Sequence, residues 1–413
     1  MKKSLFAVAA ATAFTGAAQA QSSVTVYGIL DVGFNGANER LGQFTAGSPQ
    51  GSRATGQALT SSNQSGSRLG FRGNEDLGGG TSAQFVFELG INPANQATWA
   101  PNVRQAFVGL SQKGLGTARI GTQNTLVWQA AAGTTTGELA QVLGSMLAPT
   151  YVGPVTTLGT TSTTNAAIST SNGNTSAFTS RTANTLQLIS DRMSGVVVKA
   201  MYVTNQQDTN RTIQSTAGSL GYSGGNSNHT GWGLAADGVF AKLNVQAAYQ
   251  SFKSENPYQC ATAQGLSCTT GAPAIWGTST TNYTGTNVTD NQFYGGAVYD
   301  FGILKAYAGY VNRKVTSTID SSVFLKRTAQ EIGVRGYLTK KIEGWASAGN
   351  GKYQAFGVSS PSANIVGYQV GSNYWMSKRT NLYAIYGQNG TSSTTANGSF
   401  NVNNYAVGVR HTF

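Results

Sequence analysis

The chain has 413 residues and a formal net charge of +12 at neutral pH, yet charged residues make up only 10% of it. Soluble domains average about 25% charged residues, so we expect much of this surface not to face water. Hydrophobic residues reach only 39%, and no later stretch is a continuous apolar helix, which excludes a helical membrane protein. The charges are spaced singly, without the basic run of five or six residues that favours nucleic acid.

The first twenty residues resemble a secretory signal peptide. Lys2 and Lys3 precede a run of small and apolar residues from Leu5 to Ala18, and Ala18-Gln19-Ala20 matches a cleavage site. A membrane anchor is the alternative, but the run falls short of the roughly 20 residues that span a bilayer. We therefore predict a signal peptide over 1–20 and one mature domain over 21–413, secreted and without a nucleic-acid partner.

Most of the mature chain alternates apolar and polar residues with a period of two. In residues 242–250, Leu243, Val245, Ala247 and Tyr249 share one face, with polar residues between them. The 53 glycines and only 8 prolines also favour many strands joined by turns. We predict sixteen strands, at 24–36, 66–74, 81–91, 102–112, 116–123, 183–190, 195–204, 229–239, 242–252, 290–299, 302–313, 328–338, 342–353, 364–375, 380–388 and 403–413.

The connections between these strands alternate in length. The chain turns within a few residues after each even-numbered strand except the last, and runs through long polar stretches after the odd-numbered ones. A closed antiparallel barrel in a membrane requires this arrangement. We therefore predict an all-β fold, a 16-stranded antiparallel transmembrane β-barrel with short periplasmic turns and long extracellular loops. A soluble sandwich could also alternate, but it would carry more surface charge. Barrels of sixteen strands leave an aqueous channel lined by the polar faces.

Cys260 and Cys268 are the only two cysteines, and they lie in a polar stretch. An oxidising periplasm would pair them as a disulfide, with two free thiols as the alternative. Two cysteines lack the ligands of a structural zinc site, so we expect no metal, and nothing in the sequence calls for a cofactor.

Several motifs resemble the trimeric general porins of beta-proteobacteria. The most specific runs from Leu69 through Gly70-Phe71-Arg72-Gly73-Asn74-Glu75-Asp76-Leu77 to Gly80. The others are Val24-Thr25-Val26-Tyr27-Gly28, Arg104-Gln105-Ala106-Phe107-Val108-Gly109-Leu110, Tyr299-Asp300-Phe301-Gly302 and the terminal His411-Thr412-Phe413. The resemblance covers nearly the whole mature chain. It implies a homotrimer, an infolded third loop that narrows each pore, and recognition of Phe413 by the barrel assembly machinery.

Two segments depart from the pattern of that family. Thr122 stands where an arginine usually follows Ile120-Gly121, and Leu188 and Ser190-Asp191 replace a tyrosine and Ser-Pro after Arg181-Thr182-Ala183-Asn184. Both changes lie near the third loop, so they affect the expected constriction rather than the fold.

Strand parity predicts which charges face the lumen. Arg68 and Arg72 would point inward because Leu69 and Phe71 take the lipid face. We assign to the lumen ten bases and three acids: Arg68, Arg72, Arg104, Arg119, Lys199, Lys242, Lys305, Arg313, Arg335 and Arg410, against Asp31, Glu88 and Glu331. A base on the lipid side would cost about 2–4 kcal/mol at mid-bilayer, which favours the same assignment.

The predicted constriction consists of four arginines and one acid. Arg68, Arg72, Arg104 and Arg119 would form a ladder, although one or two of them could instead lie at a barrel end against loop acids or lipopolysaccharide phosphates. The third loop spans about 124–180, and Glu138 is its only charge. We expect 128–147 to fold inward with Glu138 facing the ladder, and hence a general diffusion pore for small hydrophilic solutes that prefers anions.

Three other functions compete with a general diffusion pore. A barrel enzyme would need a catalytic dyad on one rim, but His229 and His411, the only two histidines, lie at opposite ends and neither has a G-x-S-x-G motif. An adhesin or autotransporter would need a passenger domain. A substrate-specific channel on the same fold remains an open alternative.

Overall fold

The computed structural model describes residues 23–45, 48–94, 102–140, 142–147, 181–216, 219–255, 288–318, 321–322, 324–356, 362–393 and 398–413. The predicted signal peptide, both cysteines and the second part of the third loop lie outside these residues. The described residues form one helix, α1, over Leu126–Thr134. They also form eighteen strands: β1 Ser23–Thr45, β2 Ser48–Ser61, β3 Arg68–Gly78, β4 Thr81–Gly90, β5 Asn102–Gln112, β6 Gly116–Asn124, β7 Arg181–Ser190, β8 Val196–Val203, β9 Gln206–Thr216, β10 Ser219–Phe240, β11 Leu243–Glu255, β12 Val288–Asp300, β13 Leu304–Ser317, β14 Phe324–Tyr337, β15 Ile342–Phe356, β16 Ser362–Trp375, β17 Thr380–Ser393 and β18 Gly398–Thr412.

The strands close into a single antiparallel barrel. Except at β2/β3 and β8/β9, each strand pairs with its neighbours in sequence, and β1 pairs with β18 to close the sheet. β2 and β3 both pair with the same edge of β1, one after the other, and β8 and β9 share the edge of β10 in the same way. Each of these pairs is one interrupted wall strand. The barrel therefore has sixteen wall strands, and the predicted fold class is confirmed.

Short turns occupy one end of the barrel. The turn between β3 and β4 contains Gly78, Gly79 and Gly80, all with positive φ between 61° and 81°, a region that glycine enters without steric cost. In the turn between β12 and β13, Gly302 has φ +91° and donates its backbone N–H to Asp300 Oδ1 at 2.8 Å. This end matches the short periplasmic turns expected from the sequence.

The apolar faces of the strands point out of the barrel. Tyr405, Val407 and Val409 on β18 are exposed, whereas Ala406 between them is fully buried. The same alternation runs through β16, whose residues are buried and exposed in turn. A lipid-facing exterior and a filled interior follow from this period of two.

Several strands are longer than the sequence indicated. β1 extends to Thr45 and β10 begins at Ser219, about ten residues beyond the predicted limits on the side of the long connections. Polar residues and glycine dominate the sequence of these extensions, as expected of strands that project beyond the hydrocarbon and meet water on both sides. Period-two alternation is lost for the same reason, and the sequence pattern could not reveal these extensions.

A segment of the third loop fills part of the barrel. Thr125 caps α1 by accepting a hydrogen bond from Trp128 N at 3.2 Å, and the helix packs against β11 and β12. Its buried face forms an apolar cluster with inward residues of the wall, namely Leu126, Val127, Ala130, Ala131, Tyr294, Val311 and Ala329. Among the described residues, no helix has the length and apolar character of a membrane-crossing helix.

The C-terminal residue completes the closure of the barrel. Phe413 N donates to Gly28 O at 3.2 Å, and Gly28 N donates to Phe413 O at 3.1 Å. A Cβ on Gly28 would lie 2.4 Å from Phe413 Cζ, so the aromatic ring covers the glycine on the outer face. The terminal aromatic and an early glycine are therefore packed as one unit.

Candidate functional site

Glu88 lies at the centre of a group of polar side chains on the inner wall. Its side chain is only 4% exposed, and Oε1 lies 2.7 Å from Arg104 Nε and 3.8 Å from Arg68 Nη1. Tyr27 donates its hydroxyl to Glu88 Oε2 at 3.1 Å. One carboxylate thus orients two of the predicted ladder arginines.

A β-bulge brings Arg104 to the inner face. Val108 and Leu110 on β5 are exposed to the outside, so strict alternation would turn Arg104 outward as well. The register between β4 and β5 shifts after Glu88. Glu88 pairs with Gln105, whereas Leu89 pairs with Val103, so one residue of β5 has no partner on β4. The extra residue is Arg104, and bulges re-aim side chains in this way.

The break between β2 and β3 forms an inward segment, residues 62–67. Asp31 on β1 is fully buried and accepts the backbone N–H groups of Gln64 at 2.8 Å and Ser65 at 2.6 Å. Tyr383 donates its hydroxyl to the same carboxylate at 2.6 Å. Asp31 therefore faces inward, as parity predicted, but it holds the inward segment instead of lining open lumen.

The inward segment in turn positions Arg68. Arg68 Nε donates to Gly66 O at 3.0 Å, and Nη2 donates to Ser65 Oγ at 2.9 Å. Arg104 packs against Gly66, where an added Cβ would lie 3.0 Å from its Nη1. The two guanidinium groups are thus fixed by the same six residues.

Three further arginines extend this positive wall. Arg72 lies over the ring of Tyr27, with Cζ 5.3 Å from the centroid, and Arg119 lies 5.1 Å from the ring of Phe107. Arg181, at the start of β7, interacts electrostatically with Arg104, Glu88 and Arg68. In the part of the chain that the structure describes, no carboxylate lies within 4 Å of Arg72, Arg119 or Arg181.

Arg181 was absent from the predicted pore residues. The sequence placed it just before a strand, in the segment Arg181-Thr182-Ala183-Asn184, and parity assigns no face to a residue outside a strand. The only signal in the sequence was that this segment resembles the porin family pattern near the third loop.

The opposite wall is covered by the loop segment that follows α1. Glu331 accepts the backbone N–H of Met146 at 2.6 Å, and Arg327 donates to Met146 O. Gln369 donates to the carbonyls of Val142 and Leu143 at 2.8 and 3.0 Å. The wall from β14 to β16 therefore holds the loop through its backbone, and Glu331 serves this anchoring instead of lining open lumen.

Glu138 does not face the arginine ladder. Its side chain is 58% exposed, and its Oε1 lies 3.2 Å from Arg335 Nη1, on the wall against which the loop packs. Arg335 also donates to Thr136 O at 3.2 Å and is held by Glu343 through two contacts of 2.7 and 3.0 Å. The loop acid is paired behind the loop because the neighbouring backbone is anchored there, and the predicted pairing with the ladder was wrong.

Other inward bases are also neutralised by carboxylates. Lys199 Nζ lies 2.5 Å from Asp237, and Arg313 forms a two-contact pair with Asp290, with Nε at 2.8 Å from Oδ1. The sequence-based tally omitted these acids together with Glu343. Each of these acids stands at a position of its strand that points inward by alternation, so strand parity could have assigned them to the lumen as well.

Three predicted lumen bases lie near the rim. Lys242 is in the turn between β10 and β11 and is exposed, so it is not on the strand face assigned to it. Lys305 is also exposed and lies opposite Asp300 near the short-turn end. Arg410 lies opposite Asp31, 5.7 Å from the ring of Trp375.

The result is an asymmetric lumen. The wall from β3 to β7, called the arginine wall below, carries the guanidinium groups of Arg68, Arg72, Arg104, Arg119 and Arg181. Among the described residues, Glu88 is the one carboxylate within 4 Å of any of them. On the wall behind the loop, Arg313 and Arg335 are paired with Asp290, Glu343 and Glu138. Positive charge therefore exceeds negative charge on the arginine wall. Among the described residues, no group of three or more His, Cys, Asp or Glu side chains could hold a metal ion.

Comparison with known proteins agrees with this architecture. A family model described as Gram-negative porin matches residues 7–394. An outer membrane porin of Bordetella pertussis is 38% identical over 138 residues, 30% of this chain and 34% of the relative. Outer membrane porin protein 32 of Delftia acidovorans is 47% identical over 88 residues, 21% of this chain and 22% of the relative. The matched stretch thus spans about a third or less of these curated relatives.

Solved structures share the fold at low sequence identity. An anion-selective porin from Comamonas acidovorans superposes with a TM-score of 0.65 at 18% identity, covering 95% of this chain and 100% of that one. An OmpT trimer form from Vibrio cholerae gives 0.57 at 15% identity, covering 95% and 99%. With the family match over most of its length, the chain belongs to the Gram-negative porin family and is an outer-membrane β-barrel protein.

Proposed function

We propose that the protein is a general diffusion porin, which lets small hydrophilic solutes cross passively through a water-filled lumen and prefers anions. The observation that carries this proposal is the arginine wall. Arg68, Arg104 and Arg181 gather at Glu88, and Arg72 and Arg119 lie over inward-facing aromatic rings of the same wall. Rings and ladders of arginine or lysine select anions in pores. Passage through such a pore makes and breaks no bond, so the proposed role is that of a channel and not of an enzyme.

The proposal includes the environment of the barrel. We infer a homotrimer in contact with outer-membrane lipid and lipopolysaccharide, inserted by the barrel assembly machinery through the strand that ends at Phe413. Small anions and hydrophilic solutes are its cargo. The trimer form of the similar Vibrio barrel supports the oligomeric state as an inference from a shared fold.

Planar-bilayer recording of the purified protein tests this function. We expect ohmic conductance steps in groups of three and a zero-current potential in a KCl gradient that favours chloride. Arg104→Gln and Arg119→Gln should each lower the chloride-to-potassium permeability ratio about threefold, since removing one charge near the passage changes the ion energy by roughly 0.6 kcal/mol.

A matched control removes a positive charge outside the lumen. Lys340→Gln lies in the exposed turn between β14 and β15 and should leave the ratio close to that of the unmodified protein. A cation-favouring potential in the unmodified protein would overturn the proposed selectivity. Absence of conductance would overturn the proposed channel.

A further inference from the structure

The outer face of the barrel is interrupted on β14 and β15. On the strands before this gap, aromatic pairs line the outer face, with ring centroids 5.5 Å apart for Trp232 and Tyr249 and 6.4 Å for Phe293 and Tyr310. They resume on later strands with Tyr368, Tyr386, Tyr405 and Phe34. At the corresponding position, β14 and β15 instead carry Gln330 and Asn350, hydrogen-bonded to each other at 3.1 Å. Aromatic girdles mark the membrane interface, so the gap lies at the level of the lipid headgroups.

A shallow groove of about 860 Å³ lies next to this gap. Its outward-facing lining consists mainly of small apolar side chains, including Ala247, Ala297, Ala308 and Ala348, with Tyr310, Gln330 and Asn350 at its upper edge. Inward-facing residues such as Gly296 and Gly309 contribute only backbone, because their inner side is occupied by Thr134 and Leu147. The groove is therefore open to the hydrocarbon, and its volume can hold a chain of methylene groups.

Three lysines lie above the groove on the same outer face. Lys314 and Lys326 are directly opposite each other on β13 and β14, which places their Cβ atoms about 4.5–5.5 Å apart. Lys352 on β15 pairs with Thr328 on β14. Thr328 is the next residue after Lys326 on the outer face, so Lys352 lies closer to the groove than the other two lysines. Like charges directly opposite each other are unfavourable, and an anion between them would remove that cost. Within the described ranges, no carboxylate lies within 4 Å of these lysines.

We propose that this face binds a phosphorylated glycolipid of the lipid A class from the outer leaflet. Its phosphates contact Lys314, Lys326 and Lys352, its sugar hydroxyls meet Gln330 and Asn350, and an acyl chain lies in the groove. Clusters of basic side chains at the membrane surface bind anionic headgroups, and lysine is a frequent phosphate ligand. The inference assigns a location to the lipopolysaccharide contact of the proposed function and does not depend on anion selectivity.

Lipid is the occupant that the charges favour over a second copy of the chain. Interface cores between proteins are depleted in lysine, and a cluster of one sign at the upper rim would have to be neutralised by the partner. A phosphorylated lipid supplies that negative charge and the apolar chain in one molecule. In the outer leaflet, the phosphates of such a lipid lie at the membrane surface, level with the lysines, and its acyl chains point toward the membrane centre, level with the groove.

Native mass spectrometry of the detergent-purified protein with bisphosphorylated lipid A tests the site. We expect about tenfold weaker binding to the K314Q/K326Q/K352Q variant, since each lysine contributes to attraction of an anionic headgroup. The control variant K340Q/K341Q/K378Q removes the same charge from exposed turns at the opposite end of neighbouring strands and should bind as the unmodified protein does. Fully dephosphorylated lipid A should bind the unmodified protein as weakly as the first variant binds the phosphorylated lipid.

A groove variant tests the acyl-chain contact separately. Ala308→Phe fills the groove without touching the lysines and should also weaken binding, provided that the barrel still shows its folded mobility on unheated gels. Equal binding to the lysine variant, or no preference for the phosphorylated lipid, would overturn the site. So would a change of oligomeric state with unaltered lipid binding, which would identify the face as a contact between chains. None of these substitutions faces the lumen, so ion selectivity should remain unchanged in every variant.

Discussion

Glu88 Oε1 accepts a hydrogen bond from Arg104 Nε at 2.7 Å, and this contact exists because β5 contains one extra residue opposite Glu88. Without the bulge, the guanidinium group would face lipid, where it would cost about 2–4 kcal/mol at mid-bilayer. The bulge thus moves Arg104 from an unfavourable position to one beside Glu88 and Arg68. A single carboxylate there limits the repulsion between Arg104 and Arg68 while leaving the wall positive.

Glu88→Gln should increase the preference for anions. Glutamine keeps an oxygen acceptor for Arg104 but removes the negative charge, so we expect the chloride-to-potassium permeability ratio to rise about threefold. Zero-current potentials in a KCl gradient measure the change. Glu75→Gln, on an exposed part of β3 near the short turn, is the matched control. An unchanged ratio in Glu88→Gln would show that this carboxylate does not act on the ion path.

Asp31→Asn should loosen the inward segment that carries Ser65 and Gly66. Asn has one oxygen acceptor where the carboxylate has two, so at least one of the three donors loses its partner, at a cost of roughly 1–3 kcal/mol. We expect a lower thermal unfolding midpoint by circular dichroism and a weaker anion preference, because Arg68 is held by the segment. Asp76→Asn, in an exposed position near the short turn, should leave both properties nearly unchanged. Retention of the unmodified midpoint and selectivity would contradict this role.

Gly387→Ala should push the loop into the passage. An added Cβ would lie 1.7 Å from Leu143 O, on the inner side of β17, so the loop backbone must move away from the wall. The expected result is a lower single-channel conductance. Gly390→Ala is a control on the same strand, where the nearest atom is the end of the Val366 side chain at 3.2 Å. Equal conductance in both variants would mean that the loop shifts along the wall without narrowing the lumen.

Phe413→Ala should impair assembly in cells more than folding in detergent. Loss of the ring uncovers Gly28 and removes apolar contact worth about 1–2 kcal/mol, which lowers the folded fraction moderately on refolding in vitro. If the terminal aromatic is also the element that the assembly machinery recognises, the amount of folded barrel in the outer membrane should fall much further. Quantitative gels of unheated samples measure the folded fraction in outer membranes and the folded fraction after refolding in detergent. A similar loss in both would limit Phe413 to a packing role, and Phe301→Ala in an exposed turn is the control.

The fold could be derived from the sequence because lipid and water impose a period of two on every wall strand. Leu243 to Tyr249 on β11 and Tyr405 to Val409 on β18 have the faces that alternation predicted. Alternation failed where a strand leaves the membrane, as in β10, and where a bulge reverses parity. Arg104 was assigned inward by a rule that does not hold at that bulge.

The site was less accessible to sequence reasoning, since a charge acts on the lumen only if no neighbour neutralises it. Arg313 and Arg335 point inward, but Asp290 and Glu343 on adjacent strands pair with them. Glu138 was expected near the arginine ladder, and the hydrogen bonds that fix its loop place it beside Arg335.

The sequence by itself determined the number of wall strands, the faces of most of them and the predominance of basic groups in the lumen, because each follows from local alternation and composition. Only the tertiary structure decided which bases stay unbalanced. Contacts such as Met146 with Glu331 join residues 185 positions apart, and the register of the closed barrel sets them. The arginine wall remains positive because the loop and its one acid, Glu138, are anchored on the opposite side.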